Sequence, residues 1–178
     1  DDHVVEFLLF VHGRTTIPSG EREGAGRREE NGMIRGSCLC GRVRFEVTRI
    51  TGPFELCHCP RCRKVSGSAF MSGVGAEARD FRFVSGVEEV ERFELPVRER
   101  PPPYGVSFCR RCGSPLPNPP DEGFFEIPAG LLDDDPGCEP DKHIYVEHVA
   151  PWWRLDDRLP RFTRSEIAAY RAGESPDA

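Results

Sequence analysis

The sequence has no apolar run long enough to cross a bilayer. Its longest early stretch, Val4 to Val11, is broken by Glu6 and follows the acidic pair Asp1-Asp2. It falls far short of the roughly 20 residues that a membrane helix needs, and it does not read as an export signal. An excess of positive charge is also missing. Lys and Arg total 24 against 30 for Asp and Glu, a net charge of −6, which argues against a broad electrostatic hold on nucleic acid or on an anionic membrane. Uninterrupted helical patterning is absent too: 18 Gly and 17 Pro punctuate the 178 residues, and such punctuation favours short strands joined by turns. There is no internal repeat. With no export signal, the expected compartment is the cytoplasm, where thiols stay reduced. Eight cysteines set in close pairs there point to metal rather than to disulfides.

The length fits one core with tails. Residues 1–32 read as an N-terminal extension whose last part, Glu21 to Gly32, is charged, rich in Gly and without apolar periodicity. Met33 stands at the edge of the patterned region and is the expected natural start, which mass spectrometry of the native N-terminus would test. Residues 33–162 form the expected zinc-binding domain, and 163–178 a short helix and tail. From Arg42 to Val47 the chain alternates strictly, with Val43, Phe45 and Val47 on one face, so a half-buried strand is predicted. Further strands are predicted at Phe54–Cys57, Ala69–Val74, Phe81–Val84, Val90–Leu95, Gly105–Phe108, Phe124–Ala129 and His143–His148. The fold class is therefore mainly all-β, with packed sheets. Thr163 and Glu166 have the spacing of a capping box ahead of Ile167, which predicts the short C-terminal helix.

Seven of the eight cysteines fall into three clusters: Cys38-Leu39-Cys40, then Cys57-His58-Cys59-Pro60-Arg61-Cys62, then Cys109-Arg110-Arg111-Cys112. Cysteines one or two residues apart can aim both sulfurs at one ion across a Zn–S distance of about 2.3 Å. If the first and third pairs join, four thiolates close a structural site worth on the order of 10 kcal/mol to folding. Cys57, Cys59 and Cys62 are then left with one coordination position open, the usual arrangement of a catalytic zinc. A redox dithiol is the competing reading of Cys109 and Cys112. His58, in an extended segment, points away from Cys57 and Cys59 and is expected to support the site rather than ligate. Trp152 and Trp153 are expected to pack in the core or at its rim, and Cys138 to be a lone thiol near solvent.

Read with their neighbours, the strings GSCLCGRVRFEV from Gly36, CHCPRCRKVSGSAF from Cys57, FCRRCGSPLP from Phe108 and HIYVEHVAPWW from His143 resemble, in order, the blocks of the glutathione-dependent formaldehyde-activating enzyme family, which includes the centromere protein V relatives. The resemblance implies packed antiparallel sheets in an Mss4-like β-tent. It implies a structural zinc on Cys38, Cys40, Cys109 and Cys112 and a catalytic zinc on Cys57, Cys59 and Cys62, so two zinc ions per chain. The implied activity is addition of glutathione, or a similar small thiol, to formaldehyde or another small aldehyde, classed as a carbon-sulfur lyase. Three thiolates leave a zinc site at a formal −1, so nearby positive charge is wanted from Arg61, Arg63 and Lys64. Arg63, Lys64 and Ser66 are the expected glutathione contacts, and Ser66, Ser68 or water the expected proton source. The competing functions are a non-enzymatic glutathione carrier or zinc-binding adaptor, and a methionine sulfoxide reductase-like redox enzyme, whose catalytic-strand motif Gly137-Cys138-Glu139 does not resemble.

Overall fold

Alternation at residues 42–47 yields the strand it predicts. Val43, Phe45 and Val47 are buried while Arg44 is exposed, and β2 (Arg44–Val47) pairs antiparallel with both β1 (Ile34–Ser37) and β5 (Phe81–Ser85). This computed structural model describes residues 32–96 and 104–173; the expected N-terminal extension, apart from its last residue, lies outside them. A second sheet runs in the order β11 (Arg161–Phe162), β10 (Lys142–Ile144), β3 (Phe54–Cys57), β4 (Met71–Glu77), β9 (Phe124–Pro128). A third joins β6 (Val90–Glu94), β7 (Gly105–Cys109) and β8 (Pro115–Leu116). The pairings are antiparallel apart from those of β10, which lies parallel to β3 and to β11.

The strand expected over 143–148 stops early. Tyr145 takes a left-handed φ of 59°, and residues 146–148 tighten into a 3-10 turn. β1, β8 and β11 are additional to the sequence reading, as is α1 (Pro60–Ser66). That helix begins where Cys59 caps it and Pro60 occupies its first turn, where the missing N–H costs nothing. The C-terminal helix α2 (Arg164–Ala172) starts on the predicted capping box of Thr163 and Glu166. Among the described residues no helix is long and apolar enough to cross a membrane.

The central sheet has two differently used faces, because side chains alternate along each strand. Val74, Ala76, Phe125 and Ile127 point into the main core with Val43, Phe45, Val47 and Leu116. The opposite face carries Glu55 and Cys57 of β3, Met71 and Gly73 of β4, Glu126 of β9, and Lys142 and Ile144 of β10. Ile167 of α2 packs against Cys57, Cys59, Cys62 and Ile144 on this side. The helix thereby roofs a face that contains thiols and charges.

Candidate active site

Two turns bring four sulfurs together. Cys38 and Cys40 sit between β1 and β2, where the Gly41 N–H donates to the Cys38 carbonyl at 2.8 Å and the Val43 N–H points at the Cys38 sulfur at 3.4 Å. Cys109 ends β7, and the chain turns through Cys112 with the Gly113 N–H on the Cys109 carbonyl at 2.8 Å. Gly113 has φ 74°, a conformation that favours glycine. Sulfur separations are 3.5 Å for Cys38 to Cys40 and 3.9 Å for Cys40 to Cys109, and all four sulfurs lie within 4.8 Å of one another. A tetrahedron of thiolates with bonds of about 2.3 Å has edges of about 3.8 Å, so this donor set fits one zinc-sized ion.

Neighbours hold the turns in place. Ser114 accepts from the Leu39 N–H at 3.0 Å and lies 3.4 Å from the Cys112 sulfur, joining the two knuckles. Its hydroxyl first, and then its backbone N–H, draw the Cys112 thiol down to about 6. Glu89, almost buried, accepts from Arg110 Nε at 2.5 Å and from Arg111 Nε at 3.0 Å, the two residues between Cys109 and Cys112. Those ion pairs, Arg110 first, hold the Glu89 carboxyl down at about 2.

Cys57, Cys59 and Cys62 form the second cluster. Cys57 closes β3, Cys59 caps α1, and Cys62 lies in the first turn of α1, where its N–H donates to the Cys59 sulfur at 3.4 Å. The three sulfurs lie within 4.8 Å of one another, and among the described residues no fourth Cys, His, Asp or Glu joins them. They are 7%, 5% and 7% exposed, so all three are buried, whereas in the first cluster Cys40 is exposed and Cys112 half-buried. Contacts with Cys57 first and then Cys62 lower the Cys59 thiol, while contacts with Cys59 first and then Cys62 raise Cys57. Three compact sulfurs suit a thiophilic divalent ion.

The other expected residues are placed less uniformly. His58 is fully buried and turned away from the sulfurs, with Nε2 2.8 Å from His143 Nδ1; His143 Nε2 in turn meets Asp157 at 2.9 Å. Arg61 is exposed and stacks on Tyr104 at 4.5 Å. Arg63 donates from Nη1 to the His148 carbonyl at 2.8 Å, which binds its guanidinium to the 146–148 turn. Lys64 and Ser68 are exposed. The Ser66 hydroxyl lies 2.9 Å from the Cys62 carbonyl and 3.0 Å from that of Phe70, so it closes the helix end. Cys138 is exposed and joins neither cluster. Trp152 and Trp153 are 66% and 42% exposed, so neither packs in the core as expected; with Phe70 and His143 they line a hollow of about 480 Å³.

Sequence reasoning missed a cleft of about 640 Å³ on the thiol-bearing face, lined by Glu55, Glu126, Asp141, Lys142, Tyr170 and Arg171 among others. Glu55 is deeply buried, accepts from Arg171 Nη2 at 2.5 Å and faces Lys142 Nζ at 3.8 Å. Lys142 also meets Asp141 at 2.5 Å. One signal was present in the sequence. Glu55 stands two residues before Cys57 in the otherwise apolar stretch Phe54–Cys57, so it must share the face of the first thiol.

A profile of the glutathione-dependent formaldehyde-activating enzyme family matches residues 33–148. A Halomonas elongata protein provisionally named a glutathione-dependent formaldehyde-activating enzyme is 29% identical over 133 residues, covering 71% of this chain and 83% of its own length. A Rhodobacter sphaeroides protein of known crystal structure aligns over 71% of this chain and 98% of its own, with a TM-score of 0.45 and 22% identity.

Proposed function

The chain belongs to the glutathione-dependent formaldehyde-activating enzyme family, and from that premise we propose that it is a zinc-dependent, carbon-sulfur lyase-type enzyme joining a small thiol such as glutathione to formaldehyde or another small aldehyde. In this reading Cys38, Cys40, Cys109 and Cys112 hold a structural zinc, and Cys57, Cys59 and Cys62 hold a catalytic one. The observation that carries it is the difference in number. Four sulfurs complete a closed site, whereas the buried triplet has no fourth protein donor among the described residues.

Zinc bound by the triplet supplies a soft Lewis acid that favours the ionised form of an arriving thiol near neutral pH. The protein's own part is positioning and exclusion of water. β3 and the first turn of α1 fix the three sulfurs from two directions, so the site is set by backbone rather than by long side chains. Met71, Tyr145, Ile167 and Phe162 surround them with apolar surface, which strengthens each electrostatic contact inside. Addition forms one C–S bond: the sulfur lone pair attacks the carbonyl carbon, the C=O π pair moves to oxygen, and the thiol proton ends on that oxygen. No oxidant or reductant is consumed. Of the basic residues beside the triplet, Arg61 and Lys64 keep exposed side chains, and Arg63 is engaged with His148.

The test measures zinc per chain and S-hydroxymethylglutathione formation above the uncatalysed rate, in the wild type and in a variant with Cys57, Cys59 and Cys62 all changed to Ser. The expected result is two zinc ions and acceleration in the wild type, against one zinc ion, an intact fold and no acceleration in the variant. Two zinc ions in the variant would overturn the assignment. Saturable glutathione binding without acceleration would make the protein a carrier.

A further inference from the structure

The chain has two tryptophans, and both stand exposed, side by side, on one surface hollow of about 480 Å³. Large aromatics usually bury most of their surface, and a contiguous exposed pair marks a contact site where a lone exposed ring does not. The turn that carries them is fixed. Ala150 is fully buried, Pro151 follows it, and the Trp153 N–H closes the turn on the Ala150 carbonyl at 2.9 Å. The Trp153 ring meets the half-buried Phe70 at 5.8 Å and 65°, and Trp152 stands at 83° to Trp153 at 6.4 Å. Phe70 is braced from behind by the buried His58 ring at 5.6 Å. Rings at such angles form the walls of a corner rather than one flat platform.

The hollow is separate from the thiol site. Leu56 and His143, which line it, are paired between β3 and β10, and along each strand they alternate with Cys57 and Ile144 of the sulfur cluster. Neighbouring side chains point to opposite faces of a sheet, so the hollow opens on the far side of the central sheet from the three sulfurs. Its charges are two carboxylates, Asp156 and Asp157, against one guanidinium, Arg154. Asp157 accepts from His143 Nε2 at 2.9 Å and from the Leu159 N–H at 3.1 Å. Those hydrogen bonds, His143 first, orient its carboxyl and hold it below the ordinary carboxylate range. Asp156 is exposed, and among the described residues its carboxylate has no hydrogen bond or ion pair. Aromatic faces carry negative partial charge, so with these acids they favour a cation. A primary ammonium needs acceptors for its N–H groups, and the aromatic walls offer no oxygen. A quaternary ammonium has no N–H to satisfy and suits that lining. The volume is in the ordinary range for a small-molecule site.

We propose that this hollow binds a small quaternary ammonium compound, its methylated nitrogen enclosed by Trp152, Trp153 and Phe70, with Asp156 as counter-ion. The ligand is a free molecule of about the size of choline. It takes no part in chemistry at the sulfurs, because the sheet lies between, and the site stands independently of the reaction proposed above.

The two indoles make intrinsic fluorescence a direct reporter, since every tryptophan in the chain lies at the hollow. The test titrates the zinc-replete full chain with choline chloride, with sodium chloride at matched concentration, and with 3,3-dimethyl-1-butanol, which has the shape of choline without its charge. Choline should change the emission saturably, sodium chloride should not, and the neutral alcohol should bind at least about tenfold more weakly, the factor expected for a cation held against aromatic faces. Asp156→Asn and Trp152→Leu, both at exposed positions, should each weaken choline binding severalfold with zinc content and far-ultraviolet dichroism unchanged. No saturable response to choline, or an equal response to sodium chloride, overturns the proposal in the wild type alone. Equal affinity for the neutral alcohol overturns it too, since the hollow would then be reading apolar shape, as does unchanged choline affinity in both variants. Binding to phosphatidylcholine vesicles without any response to free choline would overturn the assignment to a free molecule.

Discussion

His58 lies between two candidate metal ligands, yet its ring serves the fold. Asp157 accepts from His143 Nε2, which leaves His143 Nδ1 as an acceptor for the Nε2–H of His58. Burial and the adjacent His143 push His58 below its ordinary value. Replacing His143 with Phe keeps the volume but leaves a buried donor unmet, and should cost about 1–3 kcal/mol in denaturant melts; a loss under about 0.5 kcal/mol would show that the pair does not hold the Cys57–Cys59 segment. Glu89 plays the corresponding part at the other cluster. Its depressed carboxyl means that its contribution is complete above the ordinary value of 4.5 and is lost as pH falls toward about 2. With zinc loaded as proposed, Glu89→Gln should lose the ion of the four-cysteine cluster to a chelator several times faster than wild type while the other is unaffected, as metal content over time would record.

At the level of elements, α2 does more than end the chain. Its buried Ile167 touches the sulfur cluster and its Arg171 reaches Glu55, 116 residues earlier in sequence. Ile167→Ala should cost about 2–4 kcal/mol from lost burial and the cavity left behind, and should also weaken retention of the second zinc; thermal melts and metal analysis read the two effects separately. The capping box that starts α2 was legible because its signal is local, and so were β2 and β3, whose apolar patterns need no partner to be recognised. The cysteine spacing was legible for the same reason, since a knuckle closes over a few residues. α1 was not, because about two turns beginning at Pro60 within a cysteine knuckle leave too few residues for a helical period to show. Nor was the cleft, because Glu55, Glu126, Lys142 and Arg171 come from three strands and a helix and meet only through the register of the sheet. β10 shows the same limit: its parallel pairing depends on a left-handed Tyr145 and a crossover that alternation does not encode.

Across the whole molecule, the first cluster ties the β1–β2 turn to the β7–β8 turn, and so links two sheets over a separation of 69 residues between Cys40 and Cys109. By analogy with a covalent cross-link, closing a loop of that length restricts the unfolded chain by about 4 kcal/mol. The whole triplet lies inside that loop. Stepwise cobalt titration of the metal-free protein should therefore fill the four-thiolate site with the first equivalent, and the Cys57, Cys59, Cys62→Ser variant should show an identical first step and no second. A triplet that loads first would contradict this order. Under the proposed function, nesting one site within the loop closed by the other would make maturation hierarchical, each chain acquiring its scaffold before its reactive centre when metal is scarce. Scarcity would then yield a reserve of folded, silent molecules awaiting a second ion, so that the proposed activity would follow the metal supply without any change in the amount of protein.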